Sequence, residues 1–88
     1  VSRRDLIGAA QMLRRLVRAY ARRFEFEGDE PEFAELFALH AVLDEALVSA
    51  AAQLRGRGQS WAVIGRSVGM TGEGARRRWG RVEKETAA

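Results

Sequence analysis

The chain has 88 residues, 47% of them hydrophobic, which is enough for one domain over residues 1–88 with a modest core. It has no cysteine, which excludes a disulfide framework, a zinc–thiolate site and a thiol nucleophile, and makes a reducing, cytoplasmic setting the expectation. A net charge of +3 and an isoelectric point near 10.5 favour a polyanionic partner, while charges interrupt every apolar run before a membrane span is reached and no signal peptide is read at the start.

Ser2 and Asp5 stand at capping-box spacing, and Leu6, Ala9, Ala10, Leu13, Leu16, Val17, Tyr20 and Phe24 recur at helical intervals. This spacing predicts a first helix over 3–24 with one apolar stripe. The stretch from Glu25 to Glu30 contains Gly28 and no period, so it reads as the connection. Asp29 then offers an N-cap, Pro31 suits a first turn, and Glu32 stands three residues beyond the cap, which predicts a second helix over 30–55. Its apolar residues, Phe33, Leu36, Phe37, Leu39, Val42, Leu43, Leu47, Val48 and Leu54, cover more than one face and call for contact from several sides. Gly56 and Gly58 end it.

Charge is segregated along the chain. From Phe24 to Val48 every charged side chain is acidic, Glu25, Glu27, Asp29, Glu30, Glu32, Glu35, Asp44 and Glu45, and both flanks are basic. The simpler reading has the N-terminal arginines partly paired with this acidic block, which leaves the C-terminal set available for another partner.

Residues 60–82 carry the densest pattern. Ser60 is a good N-cap; Trp61, Ile64 and Val68 fall on one face; Gly69 supplies a positive-φ helix end; Thr71 caps a further helix after a three-residue turn. Gly65 is placed where two helices cross, and Met70 fills the corner. Ala75, Trp79 and Val82 continue the buried stripe, which puts Gly72, Glu73, Arg76, Arg77 and Gly80 outward, with the tail after Val82 expected to fray. The fold class expected is therefore all-α, two long helices forming a hairpin followed by a helix-turn-helix.

The run from Gly58 to Gly80, GQSWAVIGRSVGMTGEGARRRWG, resembles the helix-turn-helix of small actinobacterial regulators and their phage relatives, and more distantly the promoter-contacting domain of sigma factors. It departs from the common pattern at Arg78, where many such sequences carry an aliphatic residue, and Trp79 takes over the packing one position later. The resemblance implies a transcriptional regulator that occupies double-stranded DNA, with a recognition helix over 71–82 in the major groove and no catalysis. Arg76 and Arg77 are then the residues for groove contact, and Glu73 can accept from a cytosine amino group. Arg66, Thr71, Arg78 and Arg81 would anchor the DNA backbone, and Gly72 with Gly74 would let the helix N-terminus approach a phosphate.

The remaining residues point to packing. Trp61 and Trp79 lie on the buried stripe and read as core, and His40, amid Leu36, Leu43 and Leu47, reads as a core-edge residue without the company a metal site needs. The carboxylates of the acidic block lack an adjoining nucleophile, histidine or phosphate loop, so neither an enzyme nor a cofactor is expected. The broad apolar cover of the second helix predicts a homodimer through residues 3–54. Two alternatives stay open: a protein-interaction adaptor that uses the helical hairpin to bind another protein, and a DNA-binding accessory of a recombination complex.

Overall fold

The computed structural model describes residues 3–80, and among them every regular element is a helix: α1 (Arg3–Glu27), α2 (Glu30–Gly56), α3 (Trp61–Ser67) and α4 (Gly72–Trp79). The N-cap expected at Ser2, the apolar position of Val82, the tail after it and Arg81 lie outside the described residues. No helix among the described residues is long and apolar enough to cross a membrane. The chain divides between Ala38 and Leu39 into two compact units.

In the first unit α1 runs three residues beyond its expected end, and the connection shrinks to Gly28 and Asp29. A helix needs no buried face to continue. Glu25 and Glu27 are good helix formers, Arg23 pairs with Glu27 at 3.3 Å across one turn, and the Gly28 N–H still donates to the Phe24 carbonyl at 2.8 Å. The start of α2 follows the sequence reading closely. The Asp29 N–H donates to Glu32 Oε1 at 2.9 Å, and Asp29 Oδ1 accepts from the Glu30 N–H at 2.9 Å, which occupies amide groups that the helix cannot pair internally. Across this corner Tyr20 Oη donates to the Glu32 carbonyl at 2.6 Å, and the Phe24 and Phe33 rings meet edge to face at 6.5 Å.

The apolar stripe of α1 is otherwise exposed, with Leu6 at 66% and Leu13 and Leu16 little less so. Of the apolar residues of α2, Val42, Leu43 and Leu47 are exposed in the single chain, while Val48, Ala51 and the partly covered Leu54 join a core. His40 is exposed rather than at a core edge.

That core belongs to the second unit. Val48 and Ala51 of α2, Ile64 of α3, and Ala75 and Trp79 of α4 are buried, and Leu54, Trp61 and Met70 pack against them. The two turns that flank α3 are built alike. At the end of α2, Gly58 has φ +91°, its N–H donates to Arg55, and the Gln59 N–H reaches back to Leu54. At the end of α3, Gly69 has φ +75°, its N–H donates to Arg66, and the Met70 N–H reaches back to Gly65. Each is the paired closure of a glycine-terminated helix, and it brings the residue after the glycine back over the last turn. Met70 is thereby delivered to the core. Val68 is not: α3 stops at Ser67, Val68 leaves helical geometry with φ −120°, and its side chain is 54% exposed.

Two glycines set how closely α3 and α4 approach. A Cβ on Gly65 would lie 2.6 Å from the Thr71 carbonyl oxygen, and one on Gly72 would lie 2.9 Å from both Cα and N of Ala62. The obstacles are backbone atoms, which cannot swing aside. Gly65→Ala and Gly72→Ala are each expected to destabilise the protein by about 1–3 kcal/mol through overpacking, which outweighs the helix propensity of at most about 1 kcal/mol that alanine adds. Gly8 in α1 has nothing within 4 Å of the same position, so Gly8→Ala is expected to leave stability unchanged or raised. Urea unfolding followed by circular dichroism distinguishes the two responses.

Candidate nucleic-acid interface

The orientation of α4 follows from its two ends and its buried side. Thr71 sits at the N-cap with extended backbone, and its hydroxyl accepts from the Gly74 N–H at 3.0 Å; Ser60 caps α3 in the same way through Val63 at 3.2 Å. Ala75, at 0% exposure, and Trp79, at 6%, are four residues apart and share the face turned to the core. Glu73, Arg76, Arg77 and Arg78 are exposed, and Gly80 is half-buried at the C-cap.

Gly72 corrects the sequence reading. It was expected outward, with room for a phosphate, but its backbone is pressed against Ala62 of α3 and it is half-buried. Gly74 is also half-buried, with the capping oxygen of Thr71 3.1 Å from where its Cβ would be. Close packing of the helix start, rather than an open cradle, accounts for these two glycines.

Three of the expected residues come together. Glu73 Oε1 accepts from Arg76 Nη2 at 2.9 Å and from Arg77 Nε at 3.3 Å, while Glu73 Oε2 accepts from Arg76 Nε at 3.2 Å. Arg76 therefore grips the carboxylate with two nitrogens, the geometry for which a guanidinium is suited. The arrangement follows from helical spacing, since residues three and four positions after Glu73 lie on its side of the helix. The hydrogen bond from Arg76 and its positive charge, and then the same influences from Arg77, hold the Glu73 carboxyl below its ordinary value.

The other expected residues stand apart from this trio. Arg66 is exposed in the last turn of α3, Thr71 serves as the cap, and the Arg78 guanidinium lies over the Trp79 ring at 5.8 Å. Trp79 thus fills the place in the core that Arg78 leaves, as its position in the sequence suggested, and Arg78 covers it from outside. Arg55 was not singled out from the sequence. Its guanidinium lies 5.6 Å from the centre of the Trp61 ring, and Nη1 donates to the Gln59 carbonyl at 3.0 Å, so it ties the end of α2 to the start of α3. The available signal was an arginine six positions before a tryptophan across two glycines, which has meaning only once the turn is closed.

Comparison with protein-family models, with curated proteins and with solved structures finds no match for the chain.

The lowered Glu73 value gives a pH dependence of definite sign. A carboxyl whose value falls on folding adds stability above its unfolded value, and that contribution is lost as pH falls through the folded one. In a carbon-detected NMR titration Glu73 is expected to have its midpoint below the usual 4.5, and Arg76→Ala is expected to raise it more than Arg77→Ala, because Arg76 is the larger influence.

Proposed function

We propose that this protein binds double-stranded DNA as a transcriptional regulator acting by occupancy, with α4 and the residues after it in the major groove. The observation that carries this reading is the capped α4, held by Ala75 and Trp79 on its inner side and presenting Glu73, Arg76 and Arg77 on its outer side. A short helix with charged, hydrogen-bonding side chains on its free face has the form and chemistry that base edges require. Arg76 and Arg77 contact bases in this reading, and Arg66, Thr71, Arg78 and Arg81 contact phosphates.

A homodimer through residues 3–54 is part of the same proposal, supported by the exposure of Leu6, Leu13 and Leu16 on α1 and of Val42, Leu43 and Leu47 on α2. Burying such side chains between two copies contributes about 25 cal/mol per Å² removed from water. Two recognition helices would then meet an inverted repeat whose half-sites are about 10 base pairs apart, or a multiple of that. Exposure of these side chains equally supports the adaptor reading, in which a different protein covers them.

Gel-shift titration at several salt concentrations tests the DNA reading. Affinity is expected to fall along a log–log line with a slope of about −0.9 per phosphate neutralised. Arg76→Ala and Arg77→Ala are expected to weaken selected sites by about 1–3 kcal/mol more than random duplex, whereas Arg66→Ala weakens all duplexes alike. Absence of a shift with any duplex at low salt overturns the reading. Sedimentation with and without a selected duplex tests the dimer: a monomer in both, with one copy per duplex, favours the adaptor.

A further inference from the structure

Glu73 is the one acidic residue of α4, and the Arg76 and Arg77 contacts to its carboxylate engage both of the arginines that the DNA reading assigns to the bases. A phosphate that approaches either arginine also approaches this carboxylate, and like charge opposes it. The sequence-independent part of DNA attraction is therefore reduced on the very face that is to read bases, and left to Arg66 and Arg78 outside the trio.

Because the three side chains are exposed, their ion pairs are weak enough to be exchanged for better partners. Which partners qualify follows from the hydrogen bonds to be replaced. Arg76 gives up two donor contacts, for which guanine N7 and O6 offer two acceptors side by side. Glu73 gives up its donors, for which the N4 amino group of cytosine is the matching one. A G·C pair presents both in the major groove. A thymine in place of the cytosine presents O4, an acceptor, and a methyl group, so the carboxylate is left facing a repulsive edge.

We propose that Glu73 is a specificity-determining residue of α4: it withholds Arg76 and Arg77 from phosphates and releases them over guanine where a cytosine amino group lies beneath its own carboxylate. This rests on the DNA reading above. The pairing within α4 thereby makes tight binding conditional on base identity.

The test is Glu73→Gln in the full chain, titrated beside the wild type against a duplex selected from a random library, the same duplex with each G·C pair changed in turn to A·T, and a scrambled duplex, at several salt concentrations. Wild type is expected to lose about tenfold in affinity at one G·C pair in each half-site. The variant is expected to lose most of that discrimination, to bind the scrambled duplex several-fold more tightly, and to show a salt dependence steeper by the equivalent of one or two phosphates, about 0.9 to 1.8 in log–log slope. A melting curve confirms folding, which the exposed position of Glu73 leaves intact. If the variant keeps the same base preference, or weakens on all duplexes alike, Glu73 only orients the arginines and the proposal is overturned. If wild type shifts no duplex at all, the DNA reading has failed and this proposal with it, an outcome distinct from both.

Discussion

The backbone of the first turn of α4 rests directly on the backbone of α3, with no side chain at Gly72 to hold them apart. Much of the second unit depends on this closeness. It brings Ala75 to complete burial, aligns Trp79 with Ile64 and Val48 in one core, and thereby fixes the rotation of α4 about its own axis. The outward direction of Glu73, Arg76 and Arg77 is a consequence of that rotation rather than of any attraction on the surface. Gly65 has the same role one turn away, where the carbonyls of Met70 and Thr71 occupy the space a methyl group would need.

What could be read from the sequence was what is decided locally. Ser60, Thr71, Asp29 with Glu32, and Gly69 act where they stand, each through a hydrogen bond to an amide a few residues away or through a backbone conformation of its own, and each is found doing so. Gly72 was placed on the wrong side because a pattern of apolar side chains is silent about a residue whose contribution is the absence of one. Val68 was counted in a stripe that ends one residue earlier, since the turn at Gly69 unwinds the helix before the valine can face inward. The end of α1 was set too early for the opposite reason: loss of apolar period marks the end of burial, and helical hydrogen bonding continues to Gly28 without it. The apolar breadth of α2 was visible, but how much of it this chain covers depends on contacts distant in sequence, and most of it is exposed.

The charged face of α4 was legible in its membership but not in its pairing. The sequence reading gives Arg76 and Arg77 to the groove and Glu73 to a cytosine, yet the spacing of three and four residues makes Glu73 the nearest partner of both arginines first. Arg78 and Arg55 show a different use of the same side chain, laid over tryptophan rings at the edge of the core. A basic surface of this kind is therefore not one reservoir of charge. It consists of arginines already engaged with a carboxylate, with an indole or with solvent, and they differ in how readily they exchange.

Both tryptophans of the chain, Trp61 and Trp79, lie in the second unit, whereas the first carries its single tyrosine, Tyr20. Their emission is sensitive to the environment around α3 and α4, with Trp79 enclosed and each ring faced by a guanidinium. Far-ultraviolet ellipticity, in contrast, is weighted toward α1 and α2, the two long helices. Because α2 extends through both units, ellipticity reports on the two together, whereas tryptophan emission reports on the second alone, so the two signals follow one curve only if both units unfold in a single transition.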